Sequence, residues 1–111
     1  MCMRLKNFFK SPSSWVKGYL AVDMNDDPIN LNEYTEFEMR DRKIKAMSLH
    51  GAIGYFYSYE REPEQRNKII AKIRKAIEKH TGKNLYIAQF NNAETTSFED
   101  IVSVLKIADK I

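Results

Sequence analysis

The chain has 111 residues, of which 43% are apolar and 12% aromatic, enough for one domain with a real core. This composition excludes a disordered chain despite 30% charged residues, and a net charge of +3 permits nucleic-acid contact without implying it. The single cysteine, Cys2, excludes an intrachain disulfide and a cysteine metal cluster, and it favours a reducing, cytoplasmic location.

The N-terminal segment, residues 1–14, is predicted to belong to the single domain of residues 1–111. Its apolar residues, including Leu5 and Phe8, suit a short amphipathic helix that packs on the domain, and Pro12 ends it because proline cannot donate a backbone hydrogen bond. The segment lacks the apolar centre of a secretory signal. No apolar run approaches the ~20 residues of a membrane span, so we expect no membrane contact.

A small hairpin follows. Residues 17–22 favour a short strand, residues 23–28 a turn, and Ile29 and Leu31 a returning strand.

The turn places oxygen-bearing side chains at Asp23, Asn25 and Asp27, as in a calcium loop. Such a loop needs glycine at its sixth position and glutamate at its twelfth, where this chain has Pro28 and Tyr34. We therefore predict a polar hairpin turn and no metal site.

Apolar residues from about Thr35 to Tyr57 recur at helical spacing and predict one long helix, with Thr35 and Glu38 as its capping box. Gly51 and Gly54 lie inside this helix. Since glycine lets another element approach the backbone, the pair predicts a tight crossing point.

The clearest helix spans residues 63–81. Pro63 suits its first position, isoleucines form its apolar stripe, and Gly82 suits a left-handed cap.

Residues 84–90 alternate between apolar and polar and favour a short strand. A last helix is capped by Thr96 with Glu99 or by Ser97 with Asp100, and it buries one apolar face: Phe98, Ile101, Val102, Leu105 and Ala108. The fold class is mainly α, with three or four packed helices and a small β-hairpin or minor sheet (α+β).

Two surfaces are candidates for partner contact. The tyrosines at 55, 57 and 59, with Phe56, exceed what one helix face buries, so Tyr55, Tyr57 or Tyr59 should reach the surface. Residues 61–83 carry eight lysines and arginines against three glutamates. Four of the lysines are spaced three or four residues apart and form a stripe that suits phosphate or that is simply solvated: Lys68, Lys72, Lys75 and Lys79.

Catalytic signals are weak. His50 and His80 are the only histidines, no zinc-protease spacing exists, and no nucleophile, base and orienting group can be assembled. We predict no catalytic residue and no cofactor. His50, beside Gly51, suits a buried and hydrogen-bonded group.

Three stretches together resemble a family of small uncharacterised domains found in bacteria and tailed phages. They are "SWVKGYLAVDMNDDPIN", "AMSLHGAIGY" and "FNNAETTSFEDIVSVLKIA". The chain departs from the family pattern at Ser48, near a frequent cysteine, and at Asn92, where the family has aspartate. The resemblance implies the order of elements and a phage or mobile-element setting, and it supplies no reaction.

These observations favour a small non-catalytic binding protein, phage or prophage encoded, that modulates a host macromolecule in counter-defence or host takeover. A protein partner leads, and a homodimer stays open. The first alternative is a nucleic-acid-binding accessory protein that uses the basic helix 63–81. The second is an enzyme or small-ligand pocket near Trp15, Asp23, His50 and Asn91.

Overall fold

The computed structural model describes residues 3–29, 44–57 and 61–111. This part of the chain contains a short 3-10 turn, Pro12–Ser14, and three strands: β1, Ala21–Asp23; β2, Pro28–Ile29; and β3, Ile44–Met47. It also contains five α-helices: α1, Met3–Phe8; α2, Leu49–Phe56; α3, Pro63–Thr81; α4, Ile87–Asn92; and α5, Phe98–Asp109. The predicted fold class, mainly α with a minor sheet, is confirmed.

The sheet is antiparallel, with β1 between β2 and β3. Ala21 pairs with Ile29 on one side and with Met47 on the other. The predicted hairpin is therefore confirmed between β1 and β2, but its first strand begins at Ala21 and not at residue 17. Leu31 lies outside the described residues. Trp15 forms an isolated parallel bridge with Met47, which ties the segment before β1 to the end of β3.

The predicted helix from Thr35 to Tyr57 is wrong in its central part. Residues 44–47 form β3 because β1 offers them a backbone edge, and they leave that edge only at Ser48. Ser48 has extended backbone angles, and its hydroxyl accepts a hydrogen bond from the Gly51 N–H at 3.0 Å. That side-chain cap starts α2 at Leu49. The predicted capping box at Thr35 and Glu38 lies outside the described residues.

The core is centred on the contact between α3 and α5. The isoleucine stripe of α3 is buried as predicted, and Gly82 ends the helix with φ at 75°. Ser97 and Asp100 form the capping box of α5, which decides between the two predicted caps. The buried face of α5 contains Val104, whereas Val102 is only half-buried. The other buried residues of the two helices are Ile69, Ile73, Ala76, Ile77, Ile101, Leu105 and Ala108.

The predicted strand at residues 84–90 is also wrong, because this region contains α4. Its buried residues are Ile87, Phe90 and Asn91, which recur at helical spacing. The Tyr86 N–H donates to Oε1 of Gln89 at 2.9 Å, which satisfies a backbone donor at the start of the helix. The apolar and polar residues of this stretch alternate by chance, and its buried residues follow the spacing of a short amphipathic helix.

Helix α1 packs on the domain, as predicted for the N-terminal segment. Leu5 and Phe9 are buried, and the Arg4 guanidinium donates to the Phe56 carbonyl at 2.7 Å and to Glu62 at 2.8 Å. Arg4 thereby joins the end of α2 to the start of α3. Within the described residues, no helix is both long and apolar enough to cross a membrane.

Candidate functional site

Asn91 is the hub of a polar cluster where α4, the start of α2 and the segment before β1 meet. The Trp15 indole N–H donates to Asn91 Oδ1 at 2.6 Å, and the Leu49 N–H donates to the same oxygen at 2.9 Å. Asn91 Nδ2 donates to the Val16 carbonyl at 3.2 Å. Asn91 is fully buried, so these bonds satisfy groups that water does not reach. We call this arrangement the Asn91 cluster.

Asn92 extends the cluster towards the surface. Its Oδ1 accepts from the Gly18 N–H at 2.9 Å and from Asn91 Nδ2 at 3.0 Å. Both contacts use the side-chain oxygen as an acceptor, so an aspartate, the residue expected from the resemblance, would make them equally well. Lys17 closes the outer side, with Nζ donating to the Ala93 carbonyl at 2.7 Å and lying 5.4 Å from the Trp15 ring centre.

Ser48 precedes Leu49 in the chain, and its side chain contacts His50. The Ser48 hydroxyl caps α2, lies 3.3 Å from the Leu20 carbonyl and lies 3.3 Å from His50 Nε2. Ser48 is fully buried and its oxygen already accepts from Gly51, so it is placed as a structural cap and not as a nucleophile open to substrate.

His50 keeps one unpaired polar atom. Its Nδ1 is buried and has no hydrogen-bond partner within the described residues. Burial lowers the pKa of His50 below its usual value of 6.5. The neutral imidazole is therefore the favoured form at neutral pH, and the expected hydrogen bonding of His50 is fulfilled only at Nε2.

Asp23 does not join these residues through a hydrogen bond. Its Oδ1 accepts from the backbone N–H groups of Asn25 at 2.8 Å and Asp27 at 3.0 Å. Asp26 adopts a positive φ of 64°, which aspartate tolerates in turns. The predicted polar turn is confirmed by this use of the carboxylate. Of the four predicted pocket residues, only Trp15 and Asn91 are hydrogen-bonded to each other. His50 contacts Ser48 instead, and Asp23 bonds its own turn.

The structure differs most from the sequence prediction at the tyrosine surface. Tyr57 is only 2% exposed, so its assignment as a surface contact is wrong. The residue is buried because α1 packs on the domain and places the Arg4 guanidinium 5.0 Å from the ring centre. Tyr55 is half-buried with its ring 5.0 Å from that of Phe56, and Tyr59 lies outside the described residues.

The lysine stripe of α3, defined by Lys68, Lys72, Lys75 and Lys79, lies on the outside of the molecule. Lys72 is half-buried and the other three are exposed. Within residues 3–29, 44–57 and 61–111, none of the four forms an ion pair. At 1.5 Å per residue the stripe is about 16 Å long. Four acidic residues of the sequence that could neutralise the stripe, at positions 33, 36, 38 and 41, lie outside the described residues.

An exposed aromatic group was missed in the sequence. Tyr86 is 64% exposed, and the Arg74 guanidinium carbon lies 4.7 Å from its ring centre. Arg74 Nη2 also donates to Asn84 Oδ1 at 3.3 Å. The sequence analysis did not find this contact because it assigned residues 84–90 to a strand. In a strand, Tyr86 would lie beside another strand and not beside α3.

One family model matches most of the chain. Residues 11–110 match the model of a family of unknown function, DUF6197, and the chain belongs to that family. The match contains the Asn91 cluster, the lysine stripe and Tyr86, and it begins after α1. The predicted resemblance to an uncharacterised family is thereby confirmed. No curated protein and no solved structure matches the chain.

Proposed function

We propose that this protein is a small non-catalytic binding protein that acts by occupying a macromolecular partner, with the lysine stripe as its contact surface. The observation that carries the proposal is that four lysines lie on one face of α3 without an ion pair to any described residue. Ammonium groups in that state are available to a partner's negative charge.

The internal use of the other polar residues supports a non-catalytic role. Asn91 and Ser48 direct their side-chain bonds to backbone groups and to Trp15, and Asp23 bonds its own turn. Groups bound in this way position the fold, which supports a structural role for them. A role in phage takeover or counter-defence fits such a binder and stays a prediction.

A small-ligand site near Trp15 and His50 is the second candidate. It is favoured by one observation, the buried Nδ1 atom of His50 that lacks a partner among the described residues. A ligand with a hydrogen-bond donor or acceptor at that atom would satisfy it. Isothermal titration of wild type and His50→Gln with a small-molecule library tests this candidate, and equal behaviour of the two proteins would contradict it.

The main test is capture from lysate with purified protein as bait. A triple variant, Lys68→Gln, Lys72→Gln and Lys75→Gln, removes three charges from the stripe and keeps good helix formers. A matched control removes three charges elsewhere, with Lys10→Gln, Lys106→Gln and Lys110→Gln, all exposed positions. We expect a partner that binds wild type and control and is lost from the stripe variant. Equal capture by all three proteins would refute the lysine stripe as the contact.

Nuclease treatment separates the partner classes in the same experiment. A protein that stays bound after nuclease supports a direct protein partner. A capture that disappears with nuclease supports the basic-helix alternative.

A further inference from the structure

We propose that Tyr86, backed by Arg74, is a stacking platform for a nucleobase, and that this platform and the lysine stripe together bind single-stranded nucleic acid. The inference rests on the proposed function in one respect, that the lysine stripe is a contact surface. It adds the chemical class of the partner and a contact that lies outside the stripe.

The platform is held in place from one side. Arg74 lies 4.7 Å from the Tyr86 ring centre and is itself hydrogen-bonded to Asn84. The Tyr86 backbone is fixed by its bond to Gln89. Since Arg74 covers one face and the residue is 64% exposed, the ring offers its other face to solvent. A ring that is already ordered loses little conformational freedom when a base stacks on it.

The platform and the stripe lie on neighbouring sides of α3. Arg74 and Lys75 are consecutive residues of α3, so their side chains leave the helix about 100° apart. Ala71 is exposed on the surface between them, and its small side chain leaves room for a ligand to cross. A strand that places its phosphates along the lysines can therefore reach the Tyr86 ring with one base.

The residue types favour nucleic acid over a protein partner. Lysine is depleted in protein interfaces, whereas it commonly neutralises phosphates as a compact point charge. Aromatic rings beside a basic track are the usual means of binding single strands, because every base has a face that can stack. A duplex keeps its bases stacked on one another and has no free face for Tyr86. The combination therefore fits a single strand better than a duplex or an acidic protein.

The test uses the full chain and the fluorescence anisotropy of labelled probes. The probes are an oligothymidine of about 16 nucleotides, within the range that one small fold covers, a duplex of the same length, and poly-L-glutamate of matched charge. We expect the oligothymidine to bind most tightly. For four phosphate contacts on a single strand, the slope of log K against log salt should be roughly −3.

Substitutions then separate stacking from charge. Tyr86→Ala should weaken oligothymidine binding roughly 10- to 100-fold, the size of one base stack. Tyr86→Phe keeps the ring and should bind within roughly threefold of wild type. Tyr19→Ala removes another exposed tyrosine, 51% exposed, and should change nothing. The triple stripe variant should lower the salt slope towards roughly −1, since one lysine remains.

Each contrary result has a defined meaning. Equal binding by wild type and Tyr86→Ala would overturn the platform, as would equal affinity for oligothymidine and poly-L-glutamate. Absence of oligothymidine binding would overturn the inference as a whole. In that case, loss of a nuclease-resistant protein partner from the stripe variant in lysate would still support the proposed function, although the nucleic-acid inference had failed. If neither result depended on the stripe, both proposals would fall.

Discussion

The Asn91 cluster and the lysine stripe use polar side chains in opposite ways. In the cluster, Asn91 is fully buried and bonds three groups from distant parts of the chain. In the stripe, the ammonium groups lie outside and form no ion pair with a described residue. The polar contacts of the cluster thus lie inside the fold, whereas the lysines lie on its surface. Substitutions in the two regions should consequently separate stability from binding.

The largest expected effect is at the edge of the cluster, where α2 crosses the segment before β1. A Cβ atom added at Gly51 would lie 2.2 Å from the Leu20 carbonyl oxygen, which is backbone and cannot rotate away. Gly51→Ala should therefore lower the free energy of unfolding by at least about 3 kcal/mol, as severe overpacking does. Urea unfolding followed by circular dichroism measures the change.

Gly54 in the same helix is the matched control. A Cβ there would meet only the Arg66 guanidinium at 3.8 Å, an ordinary contact. Gly54→Ala should thus be neutral or raise the free energy of unfolding by up to about 1 kcal/mol, because alanine favours helix. The predicted crossing point is confirmed at Gly51 alone, and equal effects of the two substitutions would contradict that assignment.

The next effect tests the hub itself. Asn91→Ala leaves the Trp15 and Leu49 N–H groups without their shared acceptor. An unsatisfied buried donor costs about 1–3 kcal/mol, so we expect a loss of about 2–3 kcal/mol in the free energy of unfolding. Asn92→Asp is the control, because a carboxylate oxygen can accept the same two bonds, and it should stay within about 0.5 kcal/mol of wild type. A neutral Asn91→Ala would show that the cluster is dispensable.

The sequence predicted those parts of the fold whose signals are local. Pro63, the isoleucine stripe and Gly82 lie within one helix and agree with one another, and α3 is found where they place it. The hairpin turn at Asp23 is equally local, since the carboxylate bonds backbone groups within four residues. Elements of this kind need no knowledge of distant residues.

The errors arise where distant residues decide. The strand β3 forms because β1, more than twenty residues earlier, pairs with it, and the helical spacing of its apolar residues gave no sign of that partner. Tyr57 is contacted by Arg4 of α1, from the N-terminal end of the chain. Resemblance pointed to Trp15 and Asn91, but only the folded chain joins them in one hydrogen bond across 76 residues.

A smaller effect is expected from pH, which acts on the inner region and not on the stripe. Burial lowers the pKa of His50 below 6.5, so the unfolded chain takes up the proton first as the pH falls. Stability contributed by neutral His50 is complete above pH 6.5 and is lost as the pH falls towards the folded pKa. Urea midpoints at several pH values between 7.5 and 5 should show this decline in wild type and a flatter profile in His50→Gln. Parallel profiles would contradict the effect.

Asp100 adds a second loss at lower pH. A hydrogen bond from His80, together with the Ser97 backbone bond, holds the pKa of Asp100 below its usual 3.8. Its stabilising contribution is present above pH 3.8 and disappears as the carboxylate is protonated. This window lies below the range used for His50, so the two contributions can be measured separately.

The smallest effect on stability is expected at the lysine stripe. The triple variant with glutamine at positions 68, 72 and 75 removes side chains that form no ion pair with a described residue, and glutamine is nearly as good a helix former as lysine. The free energy of unfolding should therefore stay within about 0.5 kcal/mol of wild type, as it should for the matched control at positions 10, 106 and 110. Thermal and urea unfolding of the three proteins provide the measurement. If the stripe variant were clearly less stable than the control, the lysines would have a structural role, and any loss of binding in that variant could no longer be assigned to a missing contact.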